Sequence, residues 1–308
     1  MKFLLIKSFS GFGDRIEHLL CSLQYAEHAG RTLVIDWTDH VWCGKDTNKD
    51  FDYYFVFKDT ETMKLKDFKT LFINRQKANK RLTVFPDFHC QNILRRSDEK
   101  NIKFLCKDIQ DLFRKVITKQ MKDLPFDIIV TSDLERRNHA GVFSISKLLY
   151  KSFIMEYIKE DPNYNFLMKN DFITIHLRGT DRSSYTEENR PDLTNFSHHK
   201  DVYVDKLIKK IPQGTKNILL LSDSNILISH FLEKIEDIYN IIQTSNEKSS
   251  ENIGLHIQPR DCKLKCNLEL LKDFYFMTFS THVICDEISR FSLVGKRVCD
   301  IKHGREID

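Results

Sequence analysis

The stretch Phe3-Leu-Leu-Ile-Lys-Ser-Phe-Ser-Gly-Phe-Gly-Asp14 opens the chain with an apolar run and a glycine turn. The residues after it follow helical periodicity, because apolar side chains recur with the spacing of one helix face, at Ile16, Leu19, Leu20, Leu23 and Ala26. Gly30 stands where a helix C-cap is expected, and the apolar run Thr32-Leu-Val-Ile35 follows it. This order of strand, tight loop, helix and strand predicts parallel α/β packing.

Length and composition describe a compact protein of two domains. The chain has 308 residues, whereas a typical domain has roughly 150. Hydrophobic residues make up 41% and charged residues 30%, with only 10 glycines and 6 prolines, which excludes fibrous and disordered classes. The formal net charge of +4 is too small for general attraction to nucleic acid or anionic lipid, so we expect no nucleic-acid partner and only a local anion site.

The cysteines and the N-terminus suggest a cytoplasmic protein. The eight cysteines are scattered without a CxxC pair, which favours reduced thiols over a disulfide framework. Cys262 and Cys266 have helical spacing but lack a second Cys/His pair at zinc-finger distance, so we expect no metal there. The apolar run Phe3–Ile6 is too short for a signal peptide, and no run approaches the roughly 20 residues of a membrane span.

A second series of strands and helices follows in the other half of the chain. Strands are predicted at Phe172–His176, Asn217–Leu221 and His282–Cys285, and helices at Val202–Ile211 and His230–Ile238. The fold class is therefore α/β with two Rossmann-like domains.

The domain boundary is predicted in the polar stretch Lys159–Asn170, which lies between the two series. This divides the chain into α/β domains over residues 1–165 and 166–308. Residues 38–100 have no clear periodicity and include a Lys/Arg-rich stretch at 74–81, so we expect an insertion with an irregular surface.

The loops beyond the strand ends are the expected places for ligands in such folds. The strongest feature is Ile173-Thr-Ile-His176-Leu-Arg178-Gly-Thr-Asp181-Arg182, where an apolar strand ends in four polar or charged groups. A guanidinium at a strand end, beside Gly179, suits bidentate contact with a phosphate. Alternatively, Arg178 and Asp181 form a structural ion pair under a loop.

Two further strand ends carry polar groups. Leu221-Ser222-Asp223-Ser224 places a carboxylate after a buried strand, where Asp223 either caps the next helix or accepts hydrogen bonds from a nucleoside. Ser289-Arg290-Phe291-Ser292 opens a helix after a strand, where it forms either a phosphate cradle or a plain N-cap at Ser289.

Other local patterns carry weaker signals. The turn Gly11-Phe12-Gly13-Asp14 is neither a dinucleotide fingerprint nor a Walker loop and permits close backbone approach. Asp50-Phe51-Asp52 matches the DxD pattern by which many sugar transferases hold a divalent metal, but we interpret it as a chance match.

Together these loops resemble the fucosyltransferase superfamily that includes α1,6-fucosyltransferases, rhizobial chitooligosaccharide fucosyltransferases and protein O-fucosyltransferases. Gly11–His18 followed by Gly30–Trp37 is similar to the opening loop, helix and strand of that family, with Asp14 where protein O-fucosyltransferases usually have Asn. His176-Leu-Arg178-Gly-Thr-Asp181 resembles the H-x-R-x-x-D signature, and His282–Ser292 the late serine motif. The α1,6 branch has a second Arg where this chain has Gly179, so the acceptor linkage stays open.

The resemblance implies a GT-B fold and inverting, metal-independent fucose transfer from GDP-fucose to a glycan or protein acceptor, without a cofactor. It makes the first domain the acceptor side and the second the nucleotide-sugar side. The implied donor-binding residues come from the strand-end motifs and the opening glycine loop: Gly11, Phe12, Gly13, His176, Arg178, Asp181, Asp223, Ser289, Arg290, Phe291 and Ser292.

The catalytic chemistry needs a cationic group for the departing GDP and a carboxylate for the acceptor proton. Arg178 is the expected cation, and Asp14, Glu187 and Glu188 are the candidate bases. The alternatives are a transferase for another nucleotide sugar and a non-catalytic nucleotide- or glycan-binding module.

Overall fold

A computed structural model describes residues 1–86, 93–95, 124–132, 144–179, 196–235, 238–244, 263–286 and 289–305, with the backbone alone for 196–200. Its contacts divide the chain into two compact units. The first comprises Met1–Ser152 with Asp261–Lys263, and the second Phe153–Arg260 with Leu264–Asp308. The helical segment before the predicted boundary at residue 165 thus groups with the second unit.

The first unit is built on a parallel sheet of four strands. Its elements in chain order are β1(Phe3–Lys7), α1(Phe12–Ala29), β2(Thr32–Asp36), α2(His40–Cys43), α3(Phe51–Tyr54), β3(Phe55–Phe57), α4(Leu65–Lys77), β4(Val84–Phe85), β5(Ile128–Ser132) and β6(Leu148–Tyr150). The strand order is β2-β1-β5-β4, with every pair parallel, and β3 pairs antiparallel with β6. The predicted β1–α1–β2 unit is confirmed, and α1 ends at Gly30, whose φ of 61° is left-handed backbone that glycine adopts without strain.

The second unit repeats this plan. Its elements are α5(Ser152–Lys159), α6(Tyr164–Lys169), β7(Ile173–Leu177), α7(Phe196–Ile208), β8(Asn217–Ser222), α8(Asn225–Ile235), β9(Asn240–Ile242), α9(Leu264–Met277), β10(His282–Ile284) and α10(Arg290–Lys302). The strand order is β10-β7-β8-β9, again with every pair parallel. Because parallel strands are buried on both faces, their sequences are continuous apolar runs, and this explains why the predicted strands are found.

The predicted irregular surface at residues 38–100 is wrong for its first half. Trp37, Trp42, Phe51 and Phe55 are all buried and pack ring against ring, with centroids of Trp37 and Phe51 5.2 Å apart. Such a cluster has no periodicity along the chain because its members come from the loop after β2, two short helices and a strand, so no sequence pattern reveals it. In the parts of the chain that the structure describes, no helix is long and apolar enough to cross a membrane.

Candidate functional site

The carboxyl end of β7 lies between two neighbouring strands. Ile173, Ile175 and Leu177 face the apolar core against α7 and α8, so the alternation of a strand turns His176 to the other face. His176 is buried there, and its ring centroid lies 5.4 Å from that of Phe291 on α10.

Asp223 holds the segment that follows β7. Its Oδ1 accepts a hydrogen bond from the Gly179 backbone N–H at 2.9 Å, and its Oδ2 lies 2.9 Å from Nη1 of Arg178. The carboxylate is 5% exposed and the Arg178 side chain 18%, so the ion pair is largely desolvated while the guanidinium still reaches solvent. The helix-cap interpretation of Asp223 is wrong, because α8 begins at Asn225 and the hydroxyl that accepts from the Leu227 N–H, at 3.4 Å, belongs to Ser224.

Two hydroxyl groups fix the backbone around Arg178. Tyr203 on α7 accepts a hydrogen bond from the Arg178 N–H at 3.0 Å. Ser222 donates to the carbonyl of Leu177 at 2.8 Å and thereby ties the ends of β7 and β8 together. Tyr203 was not predicted from the sequence, since a tyrosine within a helix carries no signal of a backbone contact outside it.

The backbone at Gly179 lies so close to the start of α8 that a side chain would not fit there. A Cβ at this position would lie 2.8 Å from both Leu227 Cδ1 and Ser224 Cβ, closer than side chains pack. The absence of a Cβ at Gly179 therefore lets the backbone pass close to the start of α8.

The first turn of α10 follows β10 on the other side of β7. Ser289 occupies the N-cap position of this helix without a side-chain capping bond among the described residues, so its predicted capping role is not seen. Ser292 is fully buried and donates to the Ser289 carbonyl at 3.2 Å, which turns its hydroxyl inward. Phe291 packs between His176 and Phe274, and Arg290 is exposed. Burial raises the pKa of the neighbouring Cys285 thiol, despite its hydrogen bond with Ser292.

The glycine turn of the first unit leads directly into α1. Gly11 is the N-cap and the helix begins at Phe12, so Asp14 does not cap this helix. Asp14 is instead the third helical residue, half-buried at the positive end of the helix dipole. Phe12 and Gly13 are buried, and Phe12 stacks on Trp42 with ring centroids 5.8 Å apart, which makes Phe12 a core residue.

A fully buried ion pair fastens this turn to the next loop of the sheet. Arg15 donates to both carboxylate oxygens of Asp39, at 2.8 and 2.7 Å, and to the Ser10 carbonyl at 2.7 Å. The Arg15 guanidinium also lies 5.4 Å from the Trp37 ring centroid. Arg15 and Asp39 were not predicted as site residues, because a charged residue beside a glycine turn is usually exposed.

A second buried pair joins the ends of β1 and β2. Lys7 and Asp36 are register partners in the sheet, and Nζ of Lys7 lies 2.7 Å from Oδ2 of Asp36. Burial alone would raise the pKa of Asp36, but the Lys7 ammonium more than offsets this effect, and the pKa lies below its ordinary value. The sequence does contain a signal for this pair, because Lys7 and Asp36 are charged residues that each end an apolar strand, and the two strands are neighbours in the sheet.

The aspartates of the DxD pattern lie in the first unit. Burial and the nearby charges of Asp52 and Asp36 raise the pKa of Asp50 to about 6, and burial also raises the pKa of Asp52. Within the described ranges, no group of three or more His, Cys, Asp or Glu residues could hold a metal ion. Three other predicted site residues, Asp181, Glu187 and Glu188, lie outside the described residues.

Comparisons with known proteins bear on the fold. No protein-family model matches the chain, and no curated protein matches it in sequence. Among solved structures, NodZ α-1,6-fucosyltransferase soaked with GDP-fucose has a TM-score of 0.64 and 18% identity, covering 97% of this chain and 93% of that chain. NodZ from Bradyrhizobium has a TM-score of 0.58 and 18% identity, covering 96% and 92%. POFUT1 in complex with GDP has a TM-score of 0.55 and 15% identity, covering 99% and 97%. The predicted α/β class is confirmed, and the chain has the fold of the fucosyltransferases NodZ and POFUT1.

Proposed function

We propose that the chain is a GT-B glycosyltransferase that moves fucose from GDP-fucose to a hydroxyl of a glycan or protein, with inversion and without a metal. The observation that carries the proposal is the arrangement of Arg178, held by Asp223 and Tyr203 at the carboxyl end of β7. The fold around it is shared with NodZ solved with GDP-fucose and with POFUT1 solved with GDP.

Arg178 would bind the diphosphate of the donor. Its ion pair with Asp223 uses Nη1, and the planar guanidinium fork matches the geometry of phosphate oxygens. The leaving GDP gains negative charge as the bond from the sugar C1 to the phosphate oxygen breaks, and a desolvated guanidinium stabilises that charge strongly. Asp223 acts through Arg178 and is a positioning residue, with a nucleoside contact as its further proposed role.

The remaining donor contacts would come from both sides of β7. We assign His176 to the donor and the backbone amides of Ser289 and Arg290 to the pyrophosphate, because helix N-termini favour anions. Ser292 would contribute through its backbone alone, since its hydroxyl is committed to Ser289. Asp181 would complete the H-x-R-x-x-D set.

Inversion requires the acceptor oxygen to attack C1 from the face opposite the leaving GDP while its proton passes to a carboxylate. We assign Asp14 as the base that accepts this proton, with Glu187 and Glu188 as the alternative bases. Asp14 follows the glycine turn after β1 and keeps partial solvent access, which a group that meets an incoming acceptor requires.

Metal independence follows from the proposed role of Arg178, which supplies the positive charge that a divalent cation supplies in DxD enzymes. The test is turnover of GDP-fucose in excess EDTA. Unchanged turnover supports metal independence, while loss that manganese or magnesium restores would favour Asp50 and Asp52 as metal ligands.

We also propose a cytoplasmic location. Among the described residues five cysteines form no disulfide, which agrees with this location.

Donor binding is tested separately by titrating GDP into the protein and into Arg178→Ala in a calorimeter. Binding by the wild type that weakens at least tenfold in the variant supports the assignment. Equal affinities would show that Arg178 does not contact the diphosphate.

A further inference from the structure

Residues 64–81 concentrate the positive charge of the chain. They contain seven Lys and Arg residues and one Asp, a net charge of +6, whereas the whole chain carries +4, so the remaining residues sum to −2. The excess of cations is therefore confined to a single segment, which comprises α4 and the turn after it.

This segment exposes its charges on an ordered surface. The inner side of α4 packs Leu65, Phe68 and Phe72 into the core against β1, β4 and β5. The outer side and the following turn expose five cations that make no ion pair with any described carboxylate. We call this set the basic face: Lys66, Arg75, Lys77, Lys80 and Arg81.

Helix stability does not account for the basic face. Cations near a helix C-terminus interact favourably with the helix dipole, which suits Arg75 and Lys77. The opposite holds at the N-terminus of α4, where Lys64 is the N-cap and Lys66 the second helical residue. The cations at both ends therefore point to a ligand of opposite charge rather than to the dipole.

One apolar side chain lies among these cations. Ile73 is 37% exposed, and the helical spacing places it on the same side of α4 as Lys66 and Lys77. A membrane surface accepts both kinds of group, since cations meet anionic headgroups while apolar side chains enter the acyl boundary. Single-stranded nucleic acid would instead stack on aromatic rings, and the aromatics of α4, Phe68 and Phe72, are buried.

We propose that the basic face docks the protein on a bilayer rich in anionic lipid, with Ile73 entering the headgroup region. The contact is peripheral and reversible, because it rests on a few surface cations and one apolar side chain. It weakens with added salt, since exposed charges are screened.

The test is co-sedimentation of the full chain with vesicles of phosphatidylcholine alone or mixed with phosphatidylserine. We expect binding to the mixed vesicles only, reduced at least tenfold in the variant Lys66→Glu/Lys77→Glu/Lys80→Glu/Arg81→Glu. The matched control reverses four exposed lysines of the second unit, Lys169, Lys206, Lys209 and Lys216, and changes the net charge equally. It should bind as the wild type does.

A third variant, Ile73→Ser, should weaken binding several-fold without changing its salt dependence. The proposal is wrong if the wild type does not bind the vesicles that contain phosphatidylserine, or if the control variant loses as much binding as the variant of the basic face. It is also wrong if a mixed-sequence RNA binds the basic face more tightly than the vesicles do. Thermal unfolding of each variant checks that these surface changes leave the fold intact. None of these measurements depends on transferase activity.

Discussion

Asp223 contacts both the backbone and the side chain of the Arg178-Gly179 segment. Its Oδ1 lies 2.9 Å from the Gly179 nitrogen, and its Oδ2 lies 2.9 Å from Nη1 of Arg178. One carboxylate thus sets the position and the direction of the guanidinium. The two residues are 45 positions apart in the sequence and meet because β7 and β8 are parallel neighbours whose carboxyl ends lie together.

Asp223→Asn should separate these two roles. The amide oxygen still accepts from Gly179, but the charge opposite Arg178 is lost, so we expect turnover to fall about tenfold or more and stability by about 1–3 kcal/mol. Steady-state kinetics and denaturant unfolding measure both. The control is Asp205→Asn, which breaks a solvent-screened ion pair with Lys234 in the same unit and should change stability much less. Wild-type turnover in Asp223→Asn would contradict the positioning role.

Arg178→Ala should lower turnover by about a hundredfold or more while the fold survives. Arg178→Lys should not restore it, because an ammonium is a point charge and cannot reproduce a fork held between a carboxylate and a phosphate. The measurement is kcat/KM with circular dichroism as the check on folding. Arg305→Lys is the matched control, since Arg305 is also paired with an aspartate, Asp300, at 2.7 Å. Substantial activity in either Arg178 variant would remove the guanidinium from the mechanism.

Asp14→Asn tests the base. Asn keeps the shape of the side chain and its place in the first turn of α1 but cannot take a proton, so we expect a large fall in turnover with little change in GDP affinity. The lost interaction with the helix dipole costs less than about 1 kcal/mol. Glu187→Gln and Glu188→Gln, measured with the same acceptor and pH, should have small effects. The reverse ranking would transfer the base role to one of the two glutamates.

Asp50→Asn should change the pH dependence of stability. The pKa of Asp50 is raised to about 6 from an ordinary value of 3.8, so the folded protein holds a proton that the unfolded chain releases, and stability falls as pH rises between those values. The variant should therefore gain in melting temperature relative to the wild type above pH 6 and match it below pH 4.

Asp127→Asn provides a control of opposite sign for Asp50. Hydrogen bonds from Thr83 lower the pKa of Asp127, so its contribution is present above the unfolded pKa and is lost on acidification. This variant should melt below the wild type at neutral pH. A melting temperature of Asp50→Asn that parallels the wild type at every pH would show that Asp50 is solvated.

The strands β1, β2, β7, β8 and β10 could be predicted from the sequence, whereas β3, β4, β5, β6 and β9 and the helix ends were not. β1, β2, β7 and β8 are continuous apolar runs because both faces of each are buried. The helix α7 begins at Phe196, six residues before the prediction, because residues 197–201 are polar and carry no apolar periodicity. The helix α8 begins at Asn225 rather than at His230, directly after Ser224, and ends at Ile235.

His176, Arg178 and Asp223 could be predicted as candidate-site residues, because each is a polar or charged side chain at the end of an apolar strand. Their partnership could not, because nothing in one sequence tells which strand lies beside β7. Tyr203 and Arg15 depend wholly on tertiary contacts. Phe12 and Phe291 remain predicted ligand contacts, and the structure adds that both pack against other rings, which a glycine turn or a serine-rich helix start does not reveal in the sequence.

The most direct measurement is a mass-spectrometric screen of donor consumption by the wild type and Arg178→Ala. It supplies GDP-fucose, GDP-mannose and a UDP-sugar in turn with sugar, peptide and lipid-linked acceptors. We predict that the wild type consumes GDP-fucose alone, releases GDP and adds the mass of one fucose to an acceptor, while Arg178→Ala does so at least a hundredfold more slowly. Faster consumption of another donor, or no GDP-fucose turnover with any acceptor class, would contradict it.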